Sequence, residues 1–466
     1  MVSMENNGKV MKPTPIITVI GVGVLILLAS SIARHLLFQS SAFDLGIFDQ
    51  AIYLISQGYE SISSFLNFHI LGDHASIIHY LLAFLYKIYP TVYWLFIVQS
   101  LVLALAALPI WCLAIEAGLS ESQSLAVAAA YLLYPVVFNA NLFDFHPEVI
   151  AVPLILAAVL FAHLKKFIWF CLCLILILFC KAVLSLTIIS MGIWLLLERK
   201  TLYGLLAIIS GLTWFIIATK LIIPGFSGAE AAAVGRYSYL GDSVFDIAKN
   251  IVFQPSLIFN KLFSLNNLGY LILLLAPMMW GLSSASLKPL IGAIPCVFLN
   301  LITDYQPQKD LIYQYSLPAL PFLVLAVIAS LAIGKGLIKN RKGIIVWSLI
   351  TFLCLAKFTY FTSKYLAHID NLSATREAVH LVKNKGGVLT NSFIVPHLSH
   401  RKLIRYTDAA YPDQELDIFD YVLLNVRHPG WGSDEKFSKH LVQQLEKNPK
   451  YQKKYQRDDV LLFVKG

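Results

Sequence analysis

Long apolar runs recur along this chain and constrain its fold more than any other feature. Residues 16–33 form the first run, and others follow at short intervals as far as residue 361. A helix of about 20 apolar residues spans the hydrocarbon core of a bilayer, where its internal hydrogen bonds satisfy the backbone. The chain is 58% hydrophobic and only 14% charged, so a soluble core cannot account for these runs. The sequence therefore predicts a polytopic α-helical membrane protein.

The positive charges are concentrated in short links between apolar runs, and they predict the topology. A formal net charge of +9 would raise the question of nucleic acid in a soluble protein, but we expect no nucleic-acid partner here. Cytoplasmic loops carry an excess of Lys and Arg, which places Lys165, Lys166, Lys200 and residues 335–342 inside. The N-terminus is then cytoplasmic and the acidic loops lie outside the plasma (inner) membrane.

Other classes of site are disfavoured by the pattern of residues. The six cysteines lie within or at the ends of apolar runs and have no paired spacing in polar loops. This pattern argues against a disulfide framework or a zinc site. The sequence contains neither a P-loop nor a dinucleotide-binding fingerprint.

The first apolar run has two interpretations. Lys9 and Lys12 precede it, and Ser31-Ile32-Ala33 resembles a cleavage site, so a signal peptide is one alternative. We favour a retained helix, because the run with its flanks is long enough to span and further spans follow.

Residues 167–197 form an apolar run with Lys181 at its middle. A single helix would bury an ammonium group at the bilayer centre, which costs about 2.5 to 3.5 kcal/mol. We therefore predict two short helices that turn at Lys181, which places this residue at the outer surface. The whole chain then has about eleven spans and an external C-terminus.

The C-terminal region has a different composition. Residues 362–466 are more polar and show an α/β pattern, with a helix at 373–385 and strands at 388–390, 421–426 and 460–464. We predict a membrane domain with catalytic outer loops over residues 1–361 and a small soluble extracytoplasmic α/β domain over 362–466. Within it, residues 396–401 are interpreted as turn and surface residues.

Asp44 and Asp49 are two carboxylates just after the first run, in a region without Lys or Arg. One can accept the proton of an acceptor hydroxyl while the other orients it or helps to hold a divalent cation. The alternative is that Asp44 caps a helix that begins at Leu45.

Two further polar clusters lie beside apolar runs, and counting crossings places them on the same side as Asp44. His69, Asp73 and His74 suit metal or phosphate binding, and one helical turn would join His69 to Asp73. The alternative is a set of surface hydrogen-bonding residues. The second cluster has an ordinary polar turn as its alternative; its members are Asp144, His146 and Glu148.

Lys181 and Arg236 are the cations that we expect near these clusters. Either can pair with a phosphate group. The alternative for Lys181 is that its side chain extends to the membrane interface without a functional role.

Several stretches together resemble a known family. They are residues 43–50, 69–74, 141–153, 214–224, 239–243, 313–321 and 396–401, with Asp420-Tyr421-Val422. On these stretches the chain is similar to the bacterial multi-pass membrane proteins catalogued as domain of unknown function two thousand seventy-nine. That family resembles in layout the GT-C glycosyltransferases, which move a sugar from a polyprenyl-phosphate carrier to an acceptor at the outer face, using an acidic residue in the first outer loop.

The resemblance implies a GT-C-like membrane glycosyltransferase that inverts the configuration of the transferred sugar. Its partners would be a polyprenyl-phosphate-linked sugar, membrane lipid and an envelope glycan, lipid or protein acceptor, and a divalent cation is an optional cofactor. Asp44 would be the base and Asp49 its supporting acid. Substrate-binding roles would fall to His69, Asp73, His74, Asp144, His146, Glu148, Lys181 and Arg236.

One departure and two alternatives remain open. Relatives commonly carry Lys-Glu-Asp where this chain has Lys181-Ala182-Val183, so either two acidic groups are dispensable or the activity is lost or changed. A transporter or flippase of lipid-linked sugars would place polar groups at the bilayer midplane and show repeated halves. A noncatalytic scaffold would need no convergence of the polar clusters.

Overall fold

A computed structural model describes residues 5–6, 9–10, 13–383, 385–411 and 415–466. Internal contacts divide the chain into two compact units. The helical unit comprises the part up to Leu28 together with Leu71–Ile78 and Ile97–Lys357. The sheet unit comprises Ala29–Ile70, His79–Phe96 and Phe358–Gly466.

The helical unit consists of apolar helices joined mostly by short turns. Thr14–Leu36 and Tyr93–Leu105 contribute to both units. The other α-helices are Leu71–His74, Ala107–Glu116, Glu121–Leu132, Pro135–Phe143, Glu148–His163, Phe167–Cys180, Leu184–Leu197, Thr201–Ile217, Ile223–Ser227, Val244–Phe253, Pro255–Leu262, Leu265–Leu275, Ile294–Ile302, Leu320–Ala332 and Arg341–Leu355. Shorter π or 3₁₀ turns are Ala218–Ile222, Ala232–Leu240, Ala276–Met278, Ser284–Ser286, Lys288–Ala293, Gln306–Lys309 and Gln314–Ala319.

Six helices of the described residues are long and apolar enough to cross a membrane. They are Thr14–Leu36, Tyr93–Glu116, Glu121–Phe143, Thr201–Ser227, Gln314–Ala332 and Arg341–Leu366. The shorter apolar helices are Ile78–Ile88, Glu148–His163, Phe167–Cys180, Leu184–Leu197, Leu265–Met278 and Lys288–Ile302. Thr14–Leu36 covers the first predicted run, residues 16–33, and Phe167–Cys180 and Leu184–Leu197 occupy the run 167–197; Lys12, before the first run, lies outside the described residues.

The apolar run around Lys181 is broken as predicted. The helix Phe167–Cys180 ends directly before Lys181, whose backbone is extended at φ −166° and ψ 140°. The next helix begins at Leu184. The prediction of two short helices that separate at Lys181 is therefore confirmed.

Contacts at one end of the helical unit bring basic turns together. At the C-terminal end of Glu148–His163, His163 Nδ1 lies 2.8 Å from Glu116 Oε2. Gln123 Nε2 donates a hydrogen bond to Lys339 O at 3.1 Å, so residues 335–342 reach the turn that follows Glu116. Two of the predicted inside signals, Lys165-Lys166 and residues 335–342, therefore lie at the same end of the unit, one helix length from the start of Glu148–His163.

The helices Leu184–Leu197 and Thr201–Ile217 pack with their backbones in contact. A Cβ on Gly192 would lie 2.7 Å from Gly204 O, and a Cβ on Gly204 would lie 2.8 Å from Gly192 O. Helix association in membranes depends on such close packing, which small residues permit. This packing fixes the helix that follows Lys181.

We expect Gly192→Val to destabilise the protein by about 3 kcal/mol, at the upper end of overpacking effects, because a backbone oxygen occupies the new side chain's space. The midpoint of thermal unfolding in detergent measures this effect. Gly21→Val is the matched control, since Gly21 also lies in an apolar helix but has nothing within 4 Å of its Cβ position. Equal midpoints for the two variants would contradict the packing argument.

The sheet unit is built on a mixed five-stranded sheet. Its strands, in spatial order, are Ile404–Tyr406, Val388–Thr390, Tyr421–Asn425, Val460–Lys465 and Tyr451–Arg457. The first three are parallel, with Val388 opposite both Ile404 and Tyr421, and the last two pairings are antiparallel. The remaining elements of the unit are the helices Ile47–Ser56, Ile78–Ile88, Phe358–Leu366, Leu372–Leu381 and Glu435–Lys447 and the shorter turns Ala42–Gly46, Val395–His397 and Leu416–Ile418. The first residues of the chain contribute a separate pair of two-residue strands, Glu5–Asn6 and Lys9–Val10.

Helices cover both faces of the sheet. Leu423 packs with Ala378 of Leu372–Leu381 in one buried cluster. Leu424, which points to the opposite face, packs with Leu445 of the helix Glu435–Lys447. The predicted small C-terminal α/β region is therefore confirmed, with the predicted strands at the expected places, whereas residue 384 of the predicted helix lies outside the described residues.

The polar segment that follows the first apolar run, residues 39–70, is here called the first loop. It belongs to the same compact unit as the C-terminal region. Phe38 and Ala42 are buried in one cluster with Ala374 and Leu462. The domain boundary at residue 361 stays a prediction, but the compact unit around the sheet also contains Ala29–Ile70 and His79–Phe96.

Candidate functional site

A buried ion pair joins two predicted site residues in the helical unit. Lys181 Nζ lies 2.6 Å from Glu148 Oε1, and the two side chains are only 11% and 5% exposed. The other carboxylate oxygen, Glu148 Oε2, is buried and has no hydrogen-bond partner among the described residues. An unpaired buried charge is costly, so each residue depends on the other.

The helix Leu71–His74 lies directly beside this pair. The Ala182 backbone N–H donates a hydrogen bond to His74 O at 3.0 Å. Asp73 Oδ2 lies 3.3 Å from His74 Nε2. Asp73 and His74 therefore lie in the same region as Lys181, as the sequence predicted.

A π-helical turn packs beside Ala182, the residue that follows Lys181. Ala218–Ile222 interrupts the long helix that begins at Thr201. Ala75, Ala182 and Ala218 are buried together with Ile223 in one cluster. Such π-helical bulges are frequent at functional sites, and here the bulge is buried in one cluster with Ala182, the residue that follows Lys181.

Asp144 occupies a strained backbone conformation. It has φ 127° and ψ 171°, a region that is essentially restricted to glycine. Asp144 and His146 are both buried, and His146 Nδ1 lies 3.2 Å from Asp144 O. Strain of this kind costs about 1 to 3 kcal/mol and is found mostly at functional sites, so the observation favours a functional role over an ordinary polar turn.

Arg236 lies beside two aromatic rings that contact each other edge to face. Its guanidinium carbon lies 4.6 Å from the ring centroid of Tyr305 and 5.1 Å from that of Tyr315. Nη1 donates a weak hydrogen bond to Gln308 Oε1 at 3.4 Å. The rings orient the cation without neutralising its charge, which leaves a guanidinium suited to an anionic ligand.

The pKa of His74 is lowered by its surroundings. Burial lowers the pKa of His74 well below its ordinary value, and the positive charges of Lys181 and Arg236 lower it further. His146 has a smaller effect in the same direction. His74 is therefore neutral at pH 7, and the fixed cations near it are Lys181 and Arg236.

Sequence reasoning missed the aromatic residues of this region. The Phe143 ring lies 4.4 Å from the Tyr313 ring and is stacked 5.6 Å from His146. Tyr313 is in turn 6.3 Å from Tyr315. Phe143, Tyr313 and Tyr315 lie in the stretches 141–153 and 313–321, which carry the family resemblance. That resemblance is the one sequence signal that points to these rings.

Asp49 lies in the sheet unit and is fully buried. Its Oδ1 accepts a hydrogen bond from Tyr86 Oη at 2.6 Å and lies 3.1 Å from His400 Nε2, while Oδ2 accepts a hydrogen bond from Ser399 Oγ. The carboxylate is thus enclosed by protein donors. Its predicted role as supporting acid stays a prediction, but the contacts show an anchoring function.

Asp44 lies in the turn Ala42–Gly46 of the sheet unit, directly before the helix Ile47–Ser56. The alternative that Asp44 caps a helix from Leu45 stays a prediction: the α-helix begins at Ile47, but Gly46 is already helical at φ −62° and ψ −39°, and Asp44 has non-helical backbone angles. Asp44 has φ 76° and ψ −90°, close to a rare and strained γ-turn conformation. Its side chain is half-buried. A strained, partly accessible carboxylate fits the predicted base.

His69 is the third predicted site residue in the sheet unit. The prediction that one helical turn joins it to Asp73 is wrong, because that helix begins at Leu71. His69 instead forms an isolated antiparallel bridge with Ile62, and its Nε2 lies 3.3 Å from Tyr80 Oη.

The segment 396–401 is not a surface turn. Ser399 and Arg401 are buried, and Arg401 donates hydrogen bonds to Leu398 O and Gly386 O, the latter at 3.1 Å. The interpretation as surface residues is wrong, because this segment forms part of the core of the sheet unit.

Within the described part of the chain, no three His, Cys, Asp or Glu side chains come together in an arrangement that could hold a metal ion. Both oxygens of Asp49 are already engaged. The predicted divalent cation stays a prediction, and no particular site in the structure favours it.

Two solved structures share this fold. ArnT from Cupriavidus metallidurans bound to undecaprenyl phosphate is 10% identical with a TM-score of 0.53, and the match covers 97% of this chain and 98% of that chain. The apo state of the same protein is 11% identical with a TM-score of 0.52, covering 96% and 97%. The predicted GT-C-like fold class is confirmed by this likeness.

The remaining comparisons concern sequence. The family described as "Predicted membrane protein (DUF2079)" matches residues 34–462. No curated protein matches the chain.

Proposed function

Because the chain belongs to the DUF2079 family of predicted membrane proteins, and because it has the fold of ArnT, we propose that it is a membrane glycosyltransferase. It moves a sugar from a polyprenyl-phosphate carrier to an acceptor at the outer face of the plasma membrane. The observation that carries the proposal is the group of oriented cations and buried acids around Lys181 in a fold that, in ArnT, binds undecaprenyl phosphate.

The proposed reaction is a direct displacement. The acceptor hydroxyl gives its proton to Asp44, and its oxygen forms a bond to the anomeric carbon of the sugar. The bond between that carbon and the phosphate oxygen breaks, and polyprenyl phosphate leaves with the electron pair. The configuration at the anomeric carbon is inverted.

Arg236 is the main group for the carrier phosphate, because two neighbouring rings orient its planar guanidinium, which matches the geometry of a phosphate. Lys181 adds positive charge that Glu148 partly neutralises. Acceptor binding is the proposed role of the remaining predicted residues, namely His69, Asp73, His74, Asp144 and His146. No step is assigned to a divalent cation.

The proposed orientation rests on the basic turns. They cluster at the end of the helical unit where His163 meets Glu116, and cytoplasmic loops are enriched in Lys and Arg. The Lys181 break is reached after one further helix and therefore faces the outer side. The N-terminus is cytoplasmic and the sheet of residues 388–465 extracytoplasmic in this proposal.

We expect Arg236→Gln to weaken binding of undecaprenyl phosphate about ten- to a hundredfold, since a hydrogen bond to a charged group contributes about 1.5 to 3 kcal/mol. Binding to the purified protein in nanodiscs measures the change. Arg341→Gln is the matched control, because Arg341 is exposed at the start of a helix. Absence of undecaprenyl phosphate binding by the wild-type protein would contradict the proposed carrier, and unchanged binding by Arg236→Gln would remove this residue from the site.

A further inference from the structure

Two consecutive side chains attach the first loop to the C-terminal segment 395–402 in the sheet unit. Asp49 is held by Ser399 and His400, as described above. The neighbouring Gln50 donates a hydrogen bond to Arg401 O at 3.1 Å and is itself fully buried. Its Nε2 also donates to Ser64 Oγ at 2.8 Å, so the far end of the loop is attached at the same point.

Close backbone packing adds to these hydrogen bonds. A Cβ on Gly46 would lie 2.9 Å from Val395 Cγ1, so only glycine fits there without a shift of the valine. Ala42 is buried in the same cluster as Val395 and Leu398. Both ends of the turn Ala42–Gly46, which carries Asp44, therefore pack with the C-terminal segment.

We propose that Ser399 and His400 are positioning residues that act through Asp49 to hold the first-loop turn in the conformation that Asp44 needs. The proposal rests on the proposed function in one respect, namely the role of Asp44 as base. It assigns to the C-terminal region a part in the reaction itself.

The charge on His400 makes this attachment dependent on pH. Burial by itself lowers the pKa of His400, but the charge of Asp49 and the hydrogen bond to it raise the pKa above the ordinary value of 6.5, against an opposing effect of Arg401. The other groups that face the ring are Tyr53, stacked at 4.7 Å, and Tyr86 at 5.8 Å. The stabilisation of the fold by the His400–Asp49 ion pair is complete below pH 6.5. It is lost as the pH rises through the raised pKa of His400, because the pair then loses its positive partner.

Hydrogen exchange of the full-length protein in detergent tests the attachment without any transfer assay. After correction for intrinsic exchange, we expect peptides that cover residues 42–56 to exchange about tenfold faster above the pKa of His400 than below it. His400→Gln keeps a donor but no charge, so its exchange is faster at low pH and independent of pH. Ser399→Ala also speeds exchange, but it keeps the pH dependence.

His440→Gln is the matched control, because His440 is exposed on the helix Glu435–Lys447. In this variant, residues 42–56 should exchange at the wild-type rate and with the wild-type dependence on pH. Identical exchange of residues 42–56 in the wild type, His400→Gln and Ser399→Ala would overturn the proposal, whether or not the protein transfers sugar. Once transfer is measured, we expect the wild-type kcat to decrease at alkaline pH and His400→Gln to lose this decrease, whereas replacement of a purely structural residue would leave the pH profile unchanged.

Discussion

Asp44→Asn should lower the rate of sugar transfer by about 10²- to 10⁴-fold, the usual loss when a general base is removed. The substitution keeps the size of the side chain and removes its ability to accept the proton of the acceptor. Binding of undecaprenyl phosphate should be unchanged, since in the proposed reaction Asp44 contacts only the acceptor. Single-turnover transfer with the purified protein measures the rate, and Asp242→Asn, at an exposed loop residue, is the matched control.

Asp44→Gly separates this role from a structural one. At φ 76° the backbone of Asp44 is strained, and glycine adopts such angles without steric cost. We expect the variant to unfold at the same or a higher temperature and yet to transfer as little sugar as Asp44→Asn. Loss of activity without loss of stability would show that the strained backbone at Asp44 serves the reaction and not the stability of the fold. Transfer by Asp44→Asn at the wild-type rate would show that Asp44 is not the base.

The helical architecture could be predicted because its signal is local. An apolar run of sufficient length has few alternatives to a membrane helix, and Lys181 in the middle of such a run indicated a break on energetic grounds. The strand Tyr421–Asn425 was equally clear, because it is buried on both faces and its sequence is almost continuously apolar.

Elements with weaker local signals were missed. The strand Tyr451–Arg457 at the edge of the sheet is mostly exposed and charged, so its sequence does not show the alternation typical of a strand. The strand Ile404–Tyr406 has three residues and lies at the opposite edge. At both edges the pairing with a neighbour, and not the residues themselves, defines the strand.

The environment of the candidate residues could not be predicted for a related reason. Asp49 is separated by 37 residues from Tyr86 and by 350 from Ser399, so its burial depends on contacts distant in sequence. The rings around Arg236 come from Tyr305 and Tyr315, far along the chain. Residue types alone pointed to acids and cations, but only the fold shows which acid is enclosed by donors and which cation lies against aromatic rings.

The buried pair of Lys181 and Glu148 gives the second large expected effect. Lys181→Met leaves a carboxylate in a buried site without its counter-charge, which typically costs about 3 to 5 kcal/mol. The double variant Lys181→Met/Glu148→Gln removes both charges and should regain most of that stability. Thermal unfolding in detergent measures both. Lys439→Met serves as the control, because its partner Glu435 is 61% exposed and an ion pair in water contributes little to stability.

The same two variants distinguish a structural lysine from one that binds phosphate. If Lys181 only compensates the charge of Glu148, the double variant recovers binding of undecaprenyl phosphate together with stability. If Lys181 also contacts the carrier, the double variant is stable but binds about tenfold more weakly, since a charged hydrogen bond to the phosphate is lost. Equal stability of the single and double variants would contradict the interdependence of the pair. Glu148 is the acid that pairs with this lysine, and the pair should tolerate the loss of both charges better than the loss of one.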